Sequence, residues 1–163
     1  MEFLAPLHPV FVHFPVALLL AAGLLEVLAL LLRKPALHVV SLWNLVLGTL
    51  GAVAAFFSGE EAEEASEHVA AAHQLIERHE LLGKITLVVA VIVTRLRLVT
   101  RDRLPGWLRA AAVALMLTAA GSVAAGGYLG GRLVYEFGVG QRSSAAHAHA
   151  PDATHEHHHH HDE

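Results

Sequence analysis

The chain of 163 residues contains no cysteine. That excludes disulfides, thiolate zinc sites, iron–sulfur clusters and covalently attached c-type haem, each of which needs sulfur. A metal site here has only His, carboxylate, Met or backbone oxygen to draw on. Charge is scarce as well: 16% of residues are Asp, Glu, Lys or Arg, where a soluble domain carries about 25%. The segment before the first apolar run, Met1-Glu2-Phe3-Leu4, has no Lys or Arg. It therefore lacks the basic start of a secretory signal peptide, and an uncleaved span is expected. No basic patch offers a surface to nucleic acid. The glycines of Gly126-Gly127-x-x-Gly130-Gly131 follow an apolar segment rather than a strand, so they are not a phosphate loop.

What is present is apolar, 55% of the chain with a mean hydropathy of +0.50, and it is concentrated in four blocks. These are residues 10–32, 39–57, 81–99 and 107–129, each at or near the ~20 residues a helix needs to cross a bilayer. Backbone groups in lipid must be satisfied internally and nothing alternates like barrel strands, so an all-α four-helix transmembrane bundle is expected. Arg33 and Lys34 fall in the first connection, and Arg101 and Arg103 in the third, flanked by Arg95, Arg97 and Arg109. The second connection is acidic, with Glu60, Glu61, Glu63, Glu64 and Glu67. The positive-inside rule then puts the first and third connections in the cytoplasm and both termini outside, with Trp43 and Trp107 at the inner interface. Two domains follow: a membrane domain over 1–142 and a tail over 143–163.

The second connection, Ala- and Glu-rich without proline, is expected to be helical. It reads equally as a surface-lying amphipathic helix (Ala65, Val69, Ala72, Ile76) or as a solvated extension of span three. Small residues in span four and Gly48 and Ala52 in span two allow close helix approach. The tail has nothing to bury and is expected to be disordered. Its histidines, His147, His149, His155 and the run His157, His158, His159, His160, His161, resemble a purification tag. The trailing Asp162-Glu163 and the upstream His–Ala repeats point instead to a native tail that scavenges metal.

His13 sits inside the start of the first span, and an ionisable residue there suggests function. His79 immediately precedes span three, which starts on the same side. At one depth the two can face each other across the bundle, the arrangement by which helical bundles hold b-type haem or a metal ion. A plainer reading makes His13 a partner for a backbone carbonyl near Pro9 or Pro15. His8 could join His13. Glu64 with His68 and His73 with Glu77 are i,i+4 pairs able to chelate a divalent ion, a spacing common by chance. His38, on the opposite side, reads as solvated. Glu26, deep in span one, is expected to pair with Arg95, with Asn44 nearby, and Met116 reads as packing.

His8-Pro9-x-x-Val12-His13-Phe14-Pro15 at the first span, His79 before the third, and the closing Gly130-Gly131-x-Leu133-Val134-Tyr135-x-x-Gly138-Val139-Gly140 resemble a bacterial membrane family catalogued as domain of unknown function 2231. The resemblance covers roughly residues 4–140. Relatives joined to Rieske or cytochrome domains imply a place in electron transfer. The family's pattern implies histidine at the position of Phe137, which cannot ligate a metal here.

The expectation is a non-enzymatic, multi-pass protein of the bacterial cytoplasmic (inner) membrane, holding haem b between His13 and His79 for electron transfer. The first alternative handles copper, zinc or nickel through His8, His13, His73 and His79, with His68 as a further ligand and the tail feeding the site. The second is a structural subunit. The expected partners are the lipid bilayer and either subunits of a redox membrane complex or further copies of the chain.

Overall fold

The computed structural model describes residues 7–64 and 72–139, the last four of the first stretch as backbone only. Four helices follow in chain order: α1 (His8–Leu32), α2 (Pro35–Glu64), α3 (His73–Val99) and α4 (Gly106–Phe137). There is no strand among the described residues.

Local chemistry sets the helix ends. Pro9 lies in the first turn of α1, where a missing N–H costs nothing. Arg33 closes α1 in the left-handed region (φ 51°), and its N–H, with that of Lys34, is donated to the Ala29 carbonyl. Pro35 then opens α2 after a connection of only Arg33 and Lys34. The α3–α4 connection places two non-glycine residues, Arg101 (φ 50°) and Asp102 (φ 58°), in the left-handed region. Such a turn persists only where its surroundings hold it, and Asp102 is held by Arg97, as described below. Gly138 (φ 66°) closes α4, and Val139 donates to the Leu133 carbonyl.

α1 packs on α2 and α4, and α3 packs on α4 and α2, so that α1 and α3 stand diagonally. Both short, basic connections lie at one end of the bundle. The N-termini of α1 and α3 lie at the other, termed here the histidine end. The core is made of small side chains, Ala22, Ala52, Ala90, Ala112, Ala119 and Ala120 among them, which bring the helices close. The large apolar side chains point outward instead: Leu24, Leu31, Leu50, Val88 and Val99 are exposed, as are Trp43 and Trp107. A chain in water would bury these; in lipid they face the solvent they match.

Three helices, α1, residues 35–60 of α2, and α4, are long and apolar enough to cross a membrane. α3 carries Lys84, Arg95 and Arg97 within its apolar stretch, which sets it apart from the other three expected spans. The acidic connection is no separate surface helix where it is described. α2 runs on past Ser58-Gly59 to Glu64, and α3 begins at His73, ahead of the expected span. Residues 65–71 and the tail lie outside the described residues.

The two helical hairpins are equivalent, with a register of 71 positions. Pro15, Leu19, Ala22, Gly23 and Glu26 of α1 are buried, and so are Thr86, Ala90, Val93, Thr94 and Arg97 of α3, each 71 further on. Ser41, Leu45, Gly48, Thr49 and Ala52 of α2 correspond in the same way to Ala112, Met116, Ala119, Ala120 and Val123 of α4, all buried. Contacts repeat too. Gly51 lies under the Pro15 ring, as Ser122 lies against Thr86 with hydroxyls 2.8 Å apart. Gly23 faces Ala120, as Thr94 faces Thr49 with hydroxyls 2.8 Å apart. The two hairpins thus bury corresponding positions and repeat the same inter-helix contacts.

Candidate histidine and ion-pair sites

At the histidine end, the equivalent residues are His8 and His79. His79 Nδ1 lies 2.9 Å from the Gly126 carbonyl of α4. A carbonyl only accepts, so Nδ1 carries the proton and Nε2 is left bare. His8 Nδ1 lies 3.0 Å from Ser58 Oγ, and that hydroxyl donates onward to the Ala55 carbonyl (3.1 Å). When the hydroxyl gives its proton to that carbonyl, His8 Nδ1 is the donor to Oγ and its Nε2 is bare. Ala55 and Gly126 are themselves equivalent positions. A side chain on Gly59 would meet His8 Cε1 at 3.0 Å, and one on Gly130 would meet His79 Cε1 at 3.1 Å. Glycine on α2 and α4 thus lets each ring lie close against its neighbouring helix, where a Cβ would press on it. Both rings are half-buried, and His8 is within electrostatic reach of His79. The result is two imidazoles on diagonal helices, each with its tautomer fixed by its own hairpin.

His13 is placed otherwise. It lies five positions beyond His8, and its ring is exposed on the outer face of α1, hydrogen-bonded to the Pro9 carbonyl one turn back. Depth alone suggests that His13 meets His79, but helical phase carries it well round the helix from His8. His73 opens α3 as an exposed side chain 3.3 Å from Glu77. His68 and the tail histidines lie outside the described residues. Among the described residues, no three His, Cys, Asp or Glu converge on one point.

Eighteen positions further along each helix stand Glu26 and Arg97, equivalent to each other and facing across the axis. Arg97 is 1% exposed and Glu26 4%. Arg97 Nη1 lies 3.0 Å from Glu26 Oε2, at an angle that makes it an ion contact and leaves Oε2 without a hydrogen bond. Glu26 Oε1 is 2.9 Å from His38 Nδ1. Arg97 also grips Asp102 with two bonds (Nε to Oδ1, 2.9 Å; Nη2 to Oδ2, 2.8 Å) and donates to Ser41 Oγ, the His38 carbonyl and Met116 Sδ.

This corrects three expectations. Glu26 pairs with Arg97, not Arg95, because two positions of helix turn Arg95 to the exposed face. His38 is bound to Glu26 rather than solvated. Asn44 does not join the cluster and donates back to the Val40 carbonyl one turn earlier in its own helix. Sequence reasoning also missed Asp102, Ser58, Gly59, Gly126 and Gly130 as partners. The repeated spacing, His8 to Glu26 and His79 to Arg97, was the available signal.

An all-helical bundle with a small-residue core and an apolar exterior is a transmembrane helical protein. More particularly, the chain belongs to the DUF2231 family of predicted membrane proteins, whose profile matches residues 4–143. No curated protein and no solved structure matches it.

Proposed function

We propose that the chain is a b-type haem protein of membrane electron transfer, in which His8 and His79 would hold the haem iron. The observation that carries this reading is the matched pair of tautomer-locked imidazoles on diagonal helices, each offering a bare Nε2. The donor set fits haem b, which takes two neutral histidines and needs no cysteine. A tetrahedral zinc site needs four ligands, more than the described residues bring together here. When bound, the haem supplies reversible one-electron chemistry. The protein's part is orientation: Gly126 and Ser58 hold each Nδ1–H, which fixes the ring plane and raises the basicity of Nε2. Gly59 and Gly130 admit the rings, and the apolar exterior holds the pair at one end of the span. His13, the ligand expected beside His79, has no place in this site.

In the same reading the protein is multi-pass in the bacterial cytoplasmic membrane, with its histidine end outside. The test is the absorption spectrum of the protein isolated from membranes. A Soret band with sharp bands on reduction is expected. It should be lost or strongly altered in His8→Ala and in His79→Ala, and kept in His13→Ala. A colourless protein carrying stoichiometric copper would replace haem with a two-coordinate ion at the same pair. A colourless, metal-free protein would end the proposal.

A further inference from the structure

At the opposite end from the histidine pair, α1, α2, the α3–α4 connection and the first turn of α4 line an open cavity of about 460 Å³. Its walls are of two kinds. Leu30 and Val39 form an apolar side and are exposed, so the cavity opens onto the face of the bundle that meets lipid tails. Arg33 and Arg109 bring two guanidinium groups to the same space. Neither has a carboxylate partner among the described residues: Arg109 reaches only the Asp102 carbonyl, at 3.4 Å, and Arg33 has no side-chain bond.

The one carboxylate in the lining is Asp102, and both its oxygens are held by Arg97. Arg97 thus draws Asp102 away from the cavity and leaves its two cations uncompensated.

Two free guanidinium groups match phosphate oxygens, to which arginine bonds in a planar fork. An apolar wall open to the hydrocarbon matches an acyl chain and has no use for a free anion. Lys34, Arg101 and Arg103, at the same end, favour an anionic surface further. We infer that this cavity is a binding site for the phosphate headgroup of an anionic phospholipid, its acyl chain lying along Leu30 and Val39. The site stands apart from the histidine pair and does not depend on what that pair holds.

The test uses the full-length protein in detergent, with phosphatidylglycerol, phosphatidylcholine and inorganic phosphate as probes. Native mass spectrometry reads retained lipid, and the thermal unfolding midpoint reads stabilisation. Phosphatidylglycerol should be retained and should raise the midpoint; the other two should do neither at matched concentration. Arg33→Gln with Arg109→Gln should weaken retention about thirty-fold, the combined value of two cations at a membrane surface. Arg33→Gln alone, on an exposed side chain with no bonds to lose, should give an intermediate loss without affecting folding. Equal retention of phosphatidylcholine, an equal effect of inorganic phosphate, or a single variant that folds normally and keeps full retention would each overturn the assignment.

Discussion

Replacing Arg97 by Met removes at once the ion contact to Glu26, the two-bonded fork on Asp102 and the donations to Ser41 and the His38 carbonyl. Glu26 is then left 4% exposed with no countercharge except His38. Taking one partner from a buried ion pair costs about 3–5 kcal/mol, most of it the penalty of the charge left behind. The loss of Asp102 from its partner should also release the α3–α4 turn. Glu26→Gln keeps the shape and the hydrogen bonding, so it should cost less, about 1–3 kcal/mol. In the double variant no buried charge is stranded in the core, so its cost should fall short of the sum by about 0.5–3 kcal/mol. Reversible unfolding in mixed micelles, run on all four proteins, measures this directly. Strict additivity, or an Arg97→Met protein within about 0.5 kcal/mol of wild type, the range of a neutral surface change, would refute the cluster as drawn.

Gly59→Ala and Gly130→Ala should each displace a histidine ring, because the added carbon would stand 3.0 or 3.1 Å from Cε1; the spectrum of the bound group reports it while helix content stays constant by circular dichroism. Gly48→Ala places a carbon 2.9 Å from Leu19 Cδ2 and should cost about 1–3 kcal/mol by overpacking. Gly83→Ala meets nothing within 4 Å and should add about 0.5–1 kcal/mol of helix stability, both read from the same unfolding curves. Deleting residues 143–163 should leave insertion intact while weakening nickel or zinc capture on a chelation assay, and a reporter fused after Glu163 should be active only outside the cytoplasm.

The helices were legible because a membrane span is written in composition: long apolar blocks, basic residues at one set of connections, proline and glycine at the ends. Pairing within the bundle was less so. Glu26 announced itself as a buried carboxylate, but its partner required the phase of α3, which separates Arg97 from Arg95 by most of half a turn. Sequence position places His13 and His79 at one depth but does not say which way a ring faces, and the fold turns His13 to the exposed face of α1. The correspondence between the two hairpins is not visible in residue identity. The correspondence lies in which positions are buried and not in which residue fills them, so Pro15 answers to Thr86 and Leu19 to Ala90. Among the few positions that remain identical are His8 with His79 and Gly59 with Gly130, where a ring lies close against the neighbouring helix.

The paired-histidine site is tested most directly by low-temperature electron paramagnetic resonance of the oxidised protein. Ligation by His8 and His79 predicts a low-spin, two-histidine signal in wild type and in His13→Ala. Either His8→Ala or His79→Ala should convert it to a high-spin signal or abolish it. A low-spin signal that survives His8→Ala and disappears in His13→Ala would contradict the pairing.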